Sequence, residues 1–111
     1  MPRRSLASRP DRRGRAGSPK LPPVRVLVIV PTYNEAENIR QVLARIRESL
    51  PQAGILVVDD GSPDGTANLA EEVAPELGEV HVMRRAAKSG LGSAYRAGFA
   101  WGLAEGYEAW R

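Results

Sequence analysis

The sequence predicts an α/β fold, a Rossmann-like βαβαβα arrangement in which helices join the strands of a parallel sheet. The first observation behind this prediction is that short aliphatic runs alternate with amphipathic segments of helical length from Val24 onward. The second is that proline, glycine or capping residues separate these segments. The third is size, because 111 residues with 42% hydrophobic and 26% charged side chains suit one small globular domain.

The first predicted unit is a buried strand followed by an amphipathic helix. Val24 to Val30 is a nearly continuous β-branched run, which is typical of a strand buried on both faces, and Pro31 is expected to end it. Asn34 is expected to cap the helix, and Glu37 to close a capping box three residues later. The apolar positions at helical spacing are Ile39, Val42, Leu43, Ile46 and Leu50, before Pro51.

Two further units repeat this pattern. Ile55 to Val58 is the second predicted strand, and Ser62 followed by Pro63 is typical of the cap and first position of a second helix. Gly78 is expected to end that helix. The last unit comprises a third strand, Val80 to Met83, and a third helix, Leu91 to about Glu105, whose Gly98, Gly102 and Gly106 are expected to pack closely on the sheet.

Function is expected in three loops, because ligands of parallel α/β sheets bind outside the carboxyl ends of the strands. The loops span Pro31 to Glu37, Asp59 to Thr66 and Arg84 to Gly92. The second loop carries three carboxylates, those of Asp59, Asp60 and Asp64. Helix capping accounts for one of them, so at least one is expected to bind a cation, a sugar hydroxyl or a base N–H.

The other two loops carry groups that suit a nucleotide. Tyr33 offers a ring that could stack on a base, and Glu35 a carboxylate that could accept a hydrogen bond from base or ribose. The simpler interpretation of this loop is a strand ended by proline and a helix capped by asparagine. The third loop suits a diphosphate at a helix N-terminus, through Arg84, Arg85 and Lys88 ahead of the turn Gly90-Leu91-Gly92.

Several classes of site are excluded by what the sequence lacks. It contains no cysteine, which excludes a disulfide framework, a thiolate nucleophile and a Cys-based zinc site. A single histidine, His81, argues against a histidine-built metal centre. No G-x-G-x-x-G follows the first strand, and no lysine follows a glycine as in a P-loop, so neither of these nucleotide sites is predicted.

The charge is divided unevenly along the chain. A net charge of +3 suggests a nucleic-acid or anionic-membrane partner when taken whole. Residues 1–23, however, hold seven basic side chains and one acidic one, whereas the remainder holds nine basic and twelve acidic. We therefore expect a disordered Arg/Pro-rich tail over residues 1–23, a folded domain over residues 24–111 and no nucleic-acid partner. Neither a secretory signal nor a membrane-spanning helix is expected.

Three segments carry a resemblance to a known family. They are Val-Pro-Thr-Tyr-Asn-Glu at 30–35, Val-Val-Asp-Asp-Gly-Ser-Pro-Asp-Gly-Thr at 57–66 and Lys-Ser-Gly-Leu-Gly-Ser-Ala-Tyr-Arg-Ala-Gly-Phe at 88–99. In this order and spacing the chain resembles the family 2 glycosyltransferases, and more narrowly the dolichol or polyprenyl monophosphate mannose synthases. The resemblance covers Val24 to about Glu108.

The resemblance implies a GT-A fold, with this chain as the amino-terminal half of its donor-binding domain. It also implies transfer of mannose from GDP-mannose to a polyprenyl (dolichyl) phosphate with inversion. The implied GDP-mannose pocket comprises Pro31, Tyr33, Glu35, Val58 and Asp60, with supporting roles for Asp59 and Asp64 and a place near the diphosphate for Lys88. Tyr33 and Val58 are expected to line the base, and Glu35 and Asp60 to accept hydrogen bonds from guanine or ribose. Two alternatives remain, a UDP-glucose-dependent polyprenyl-phosphate glucosyltransferase and a non-catalytic nucleotide-binding module with a basic tether.

The resemblance further implies a divalent metal, Mg²⁺ or Mn²⁺, on an Asp-X-Asp motif after the fourth strand. That motif is expected just beyond the segment that matches Gly106 to Trp110, and no aspartate follows Asp64 in this sequence. The catalytic residues and the metal ligands are therefore expected beyond Arg111, the last residue of the sequence. We expect the chain to be a fragment that is catalytically inactive alone. A lipid-phosphate acceptor implies peripheral contact with the cytoplasmic face of a membrane.

Overall fold

The computed structural model describes residues 24–86 and 90–110, which form a four-stranded parallel sheet with helices on both faces. The predicted tail, residues 1–23, lies outside the described residues, as do Lys88 and Arg111. The elements in chain order are β1 (Val26–Thr32), α1 (Ile39–Ser49), β2 (Gly54–Asp59), α2 (Thr66–Leu77), β3 (Val80–Arg84), α3 (Leu91–Ala104) and β4 (Ala109–Trp110). The predicted α/β order is confirmed, and a short fourth strand follows it.

The strand register brings the predicted functional loops together. The strands lie in the order β3-β2-β1-β4, so β1 and β2 occupy the centre of the sheet. Thr32, the last residue of β1, pairs with Asp59 of β2, and Asp59 pairs with Arg84 of β3. Because these three strands end side by side, the loops that follow them meet at one edge of the sheet.

Each face of the sheet has its own hydrophobic core. Helices α1 and α2 cover one face, where Ile39, Leu43 and Val73 pack with Val28 and Val57. Helix α3 covers the other face. The strand residues beneath it are Leu27, Ile29, Leu56 and Val58. Every residue of β2 is buried, as expected for a central strand covered on both faces.

Helix α3 lies close to the sheet because glycines face the strands. A Cβ atom at Gly98 would lie 2.8 Å from Cγ2 of Ile29, and one at Gly102 would lie 2.8 Å from Cδ2 of Leu27. The prediction of close glycine packing is therefore confirmed at these two positions. It is wrong for Gly106, which follows the end of α3 and has a φ of +89°. Gly106 serves the turn into β4, where a left-handed backbone favours glycine.

Two predicted helix starts are wrong. Helix α1 begins at Ile39, and Asn34, its expected cap, has a left-handed φ of 56°. Helix α2 begins at Thr66 after Gly65, so Ser62 and Pro63 precede it. The two loops use their polar groups to bind each other, since the Asn34 N–H donates to Ser62 Oγ at 2.9 Å. Local capping patterns cannot predict a hydrogen bond between loops that are far apart in the sequence.

Pro31 does not end β1, which continues to Thr32. Among the described residues, β4 pairs with Val26 and Leu27 of β1 and no strand pairs with Pro31 on that side. This edge-like position tolerates a residue that lacks an N–H. Within residues 24–86 and 90–110, no helix has the length and apolar character needed to cross a membrane.

Candidate functional site

A cleft of about 310 Å³ opens where the carboxyl ends of β1 and β2 face the start of α3. Its lining residues are Pro31, Thr32, Tyr33, Glu35, Asp60, Gly90, Leu91 and Ala94. We call residues 31–37 loop one and residues 59–66 loop two. One wall of the cleft consists of loop one and the first residues of loop two. The opposite wall is the first turn of α3. Four residues that the sequence singled out, Pro31, Tyr33, Glu35 and Asp60, are thus brought together, and their role in binding stays a prediction.

Asp60 forms an ion pair with Arg85 at the base of the cleft. Arg85 Nε donates to Asp60 Oδ1 at 2.7 Å, and Nη2 donates to Oδ2 at 3.2 Å. The two side chains are 17% and 9% exposed, so water competes little for these hydrogen bonds. The hydrogen bond to Asp60 raises the pKa of the Arg85 guanidinium, and the carboxylate therefore faces a permanent cation.

Arg85 also reaches the opposite wall of the cleft. Its Nη1 donates to the backbone oxygen of Ser93 at 3.1 Å and to Ser93 Oγ at 2.9 Å. The neighbouring Arg84 contacts α2 instead, where Nη2 donates to Asn68 Oδ1 at 2.7 Å and to Glu71. Both guanidiniums are engaged by acceptors of this chain, and a role for either in binding a diphosphate stays a prediction. Lys88, the third member of that predicted group, lies outside the described residues.

Asp59 stabilises loop two from inside the protein. It is 2% exposed and accepts hydrogen bonds from Thr32 Oγ1 at 2.7 Å and from Ser62, through both N–H and Oγ, at 2.9 and 2.7 Å. Asp59 does not line the cleft. Val58, just before it, is fully buried in the core beneath α3. Neither Asp59 nor Val58 lines the cleft, and their roles in binding stay predictions.

Asp64 joins loop two to loop one. Its Oδ2 accepts from the Ala36 N–H at 3.0 Å, and its Oδ1 accepts from the Thr66 N–H at 3.1 Å and from Thr66 Oγ1. The hydrogen bond from the Thr66 side chain is the main cause that lowers the pKa of Asp64. Thr66 Oγ1 in turn accepts from the Glu35 N–H at 2.9 Å. Asp64 thus holds the backbone that carries Glu35, and it lies outside the cleft lining.

The three carboxylates of loop two are explained by separate sets of donors. Asp59 binds Thr32 and Ser62, Asp64 binds loop one, and Asp60 binds Arg85. Within the described part of the chain, no group of three or more His, Asp or Glu side chains could hold a metal ion. The described residues therefore do not fit the implied divalent metal.

The catalytic residues expected beyond Arg111 stay a prediction. Arg111 itself lies outside the described residues, which end at Trp110 in β4. The cleft between loop one and α3 is a candidate ligand-binding site.

Arg85 and Ser93 are the site residues whose role sequence reasoning missed. The positive charge of Arg85 indicated a phosphate ligand. Arg85, however, directly follows β3, whose last residue pairs with Asp59 of β2, so Arg85 lies beside Asp60, the residue after Asp59. A predicted strand register could have indicated this contact. The link from Arg85 to Ser93 depends on where α3 begins and has no local sequence signal.

Comparison with known proteins agrees with this architecture. Residues 27–107 match the family described as Glycosyl transferase family 2. The chain is similar to a mannosyltransferase from Pyrobaculum calidifontis whose structure was solved in complex with GDP-Man and Mn²⁺. That likeness has a TM-score of 0.62 and 32% identity, and it covers 69% of this chain and 24% of the other.

Curated relatives agree with the structural likeness. A polyprenol monophosphomannose synthase of Mycolicibacterium smegmatis is 58% identical over 87 residues, or 78% of this chain. An undecaprenyl-phosphate mannosyltransferase of Micrococcus luteus is 53% identical over 85 residues, or 77% of this chain. A dolichol-phosphate mannosyltransferase of Pyrococcus furiosus is 44% identical over 78 residues, or 68% of this chain. The matched part spans 33%, 35% and 22% of those proteins, respectively.

Proposed function

The chain belongs to glycosyl transferase family 2, and from that premise we propose that it forms the donor-nucleotide part of a mannosyltransferase. The proposed reaction transfers mannose from GDP-mannose to a polyprenyl or dolichyl phosphate with inversion at the sugar. The names of the similar proteins support the mannosyl donor and the lipid-phosphate acceptor.

The observation that carries the proposal is one cleft that combines an aromatic ring with two carboxylates. Tyr33 is 38% exposed beside Glu35 and Asp60 at the carboxyl ends of β1 and β2. A tyrosine ring of this exposure can stack on a purine. Carboxylates accept hydrogen bonds from base N–H groups and ribose hydroxyls. A guanine edge offers two neighbouring N–H donors, against one on uracil, which favours GDP-mannose over UDP-glucose as the donor.

The proposed chemistry makes modest demands on general base catalysis. A phosphate acceptor is already ionised at neutral pH, so no strong base is needed to create the nucleophile. The larger demand is to stabilise the negative charge on the departing GDP. A divalent cation would supply that stabilisation, and we propose that its ligands come from residues other than those described here. The described residues bind and orient the nucleotide.

Calorimetric titration of the chain with GDP-mannose and UDP-glucose tests the proposal. We expect GDP-mannose to bind more tightly than UDP-glucose. Glu35→Gln is expected to weaken GDP-mannose binding by about tenfold, the factor for one lost hydrogen bond to a charged group. Glu37→Gln, in the same loop but outside the cleft lining, is the matched control and is expected to bind normally. Equal effects of the two substitutions, or preferential binding of UDP-glucose, would contradict the proposal.

Catalysis by the chain alone is a separate matter. We propose that residues 1–111 do not transfer mannose unaided, since the described residues include no ligand set for the implied metal. Incubation with radiolabelled GDP-mannose, undecaprenyl phosphate and Mn²⁺, followed by organic extraction, measures this directly. Labelled lipid above the level of a no-protein blank would contradict it.

We also propose that the protein acts peripherally at the cytoplasmic face of a membrane, because its acceptor is a lipid phosphate. Co-sedimentation with vesicles that contain polyprenyl phosphate tests this location. Deletion of residues 1–23 separates it from the alternative of a basic tether. Salt-sensitive binding that vanishes with the deletion would favour the tether, because phosphate contacts made by arginines are screened by salt.

A further inference from the structure

Arg85 contacts both walls of the cleft, and it is not among the residues that line the cleft. We propose that Arg85 is a positioning residue, which fixes the carboxylate plane of Asp60 and the distance between loop two and α3, and so controls how tightly the cleft holds a nucleotide base. This inference rests on the proposed function. We call the set of hydrogen bonds from Arg85 to Asp60 and Ser93 the Arg85 bridge.

The first half of the bridge fixes Asp60. Two nitrogens of one planar guanidinium meet two oxygens of one carboxylate, at 2.7 and 3.2 Å. Such a paired contact sets the plane of the carboxylate, whereas a lysine ammonium would act as a point charge and leave that plane free to turn. Since Asp60 lines the cleft, the guanidinium determines the direction in which its oxygens meet a ligand.

The second half of the bridge fixes α3. The Nη1 group of Arg85 holds the backbone oxygen and the hydroxyl of Ser93 in the first turn of the helix. Leu91 and Ala94, on either side of Ser93, line the opposite wall of the cleft. The bridge therefore spans the cleft from a residue of one wall to the helix turn that forms the other.

The backbone that carries Arg85 is itself held in place. The Arg85 N–H donates to the backbone oxygen of Asp59 at 2.7 Å, which continues the pairing of β2 and β3. Loop two packs against this segment, because a Cβ atom at Gly61 would lie 3.0 Å from the backbone oxygen of Ala86. The Arg85 side chain is 17% exposed and its backbone is anchored, so it can hold Asp60 and Ser93 at a fixed separation. A solvent-exposed arginine would hold its partners more loosely.

Arg40 of α1 provides a control. It is also a paired arginine, but it binds Glu72 on the face of the sheet away from α3 and is 57% exposed. Arg85→Lys is expected to weaken binding of GDP-mannose to the 111-residue chain by at least about tenfold, as for a lost hydrogen bond to a charged group. Arg40→Lys is expected to leave binding unchanged. Equal losses in the two variants would overturn the inference.

A double-substitution cycle separates positioning from direct contact. If Arg85 acts through Asp60, Arg85→Lys adds little to the loss already caused by Asp60→Asn. If the loss of affinity in the double variant equals the product of the two single losses, Arg85 binds the nucleotide itself, and the positioning role is wrong. Ser93→Ala, which removes the hydroxyl acceptor and keeps the backbone, is expected to produce a smaller loss in the same direction. It also serves if Arg85→Lys does not fold.

Hydrogen exchange tests the bridge without any nucleotide. In Arg85→Lys or Ser93→Ala, amides of residues 91–95 are expected to exchange faster than in the unaltered chain, while amides of α2 keep their rates. Unchanged exchange at the start of α3 would overturn the bridge. If the unaltered chain binds no GDP-mannose, the proposed function fails, and this measurement still decides whether Arg85 holds the two walls together.

Discussion

Tyr107 lies at the amino-terminal end of the sheet, opposite the cleft, and its hydroxyl donates a hydrogen bond to Glu79 Oε2. The Arg25 guanidinium sits over its ring, 4.3 Å from the centroid. Burial, and then the hydrogen bond and charge of Glu79, raise the pKa of Tyr107 to about 12. A phenol whose pKa rises on folding stabilises the folded state below its unfolded pKa, near 10, and this contribution is lost as the pH rises through 12.

Tyr107→Phe should therefore change the alkaline behaviour of the protein. In an ultraviolet titration of tyrosinate, we expect a step near pH 12 in the unaltered chain and none in the variant. The difference in free energy of unfolding between the two proteins should shrink from pH 10 to pH 12. Tyr95→Phe is the control and should keep the step. A step near pH 12 that persists in Tyr107→Phe would show that another group titrates there.

Single residues also show where local patterns stop being informative. The spacing of Asp59, Asp60 and Asp64 correctly marked the loop that borders the cleft. It could not say that Asp59 and Asp64 are satisfied by Thr32, Ser62 and loop one, because those partners are set by the register of β1 against β2. The cluster of carboxylates thus indicated a bound ligand, whereas this chain itself supplies many of the hydrogen-bond donors to those carboxylates.

At the scale of elements, strands were predicted more accurately than helix starts. Every residue of β2 is buried, as are four of the seven residues of β1, and burial is what their aliphatic composition encodes. The end of α2 at Gly78 was also predictable, because its φ of 74° favours glycine. The start of α2 was not, because the hydroxyl of its expected cap, Ser62, binds Asp59 and the Asn34 N–H. The start of α1 was not predicted either, since Asn34 takes a left-handed φ of 56° and precedes the helix.

The glycines of α3 give a prediction at this scale. Gly98→Ala should destabilise the protein by about 1–3 kcal/mol through crowding against Ile29, offset by up to about 1 kcal/mol of helix propensity. Ile29 is 4% exposed, so it has little room to move away. Gly92→Ala is the matched control on the same helix, since among the described residues its Cβ would meet the end of the Arg96 side chain alone, at 3.3 Å.

Urea denaturation followed by circular dichroism measures both variants. We expect the midpoint to fall for Gly98→Ala and to stay or rise for Gly92→Ala. A Gly98→Ala protein as stable as the unaltered chain would mean that α3 can move outward from the sheet at no cost. The close contact between α3 and the sheet would then not fix where the first turn of α3 lies at the cleft.

At the scale of the whole molecule, the two faces of the sheet are covered unequally. Two helices lie on one face, whereas among the described elements α3 alone covers the other. The consequence is visible on α3, where Leu91 and Leu103 are 63% and 67% exposed and Phe99 is 37% exposed. The sequence did not predict this asymmetry, because α3 has no clear amphipathic pattern. Its residues that face the sheet are small, and several large apolar residues face outward.

This exposed apolar stripe predicts self-association of the 111-residue chain. Apolar side chains at one side of a helix lose contact with water when two copies meet, at roughly 25 cal/mol per Å² buried. Leu103→Gln removes the most exposed of them and lies away from the cleft lining, so it should shift the chain toward monomer in light scattering behind size-exclusion chromatography. Ala100→Gln, an exposed position of the same helix with little apolar surface, should leave the distribution unchanged. A chain that is monomeric at all concentrations, or one whose association ignores Leu103→Gln, would show that the stripe does not mediate contact between copies.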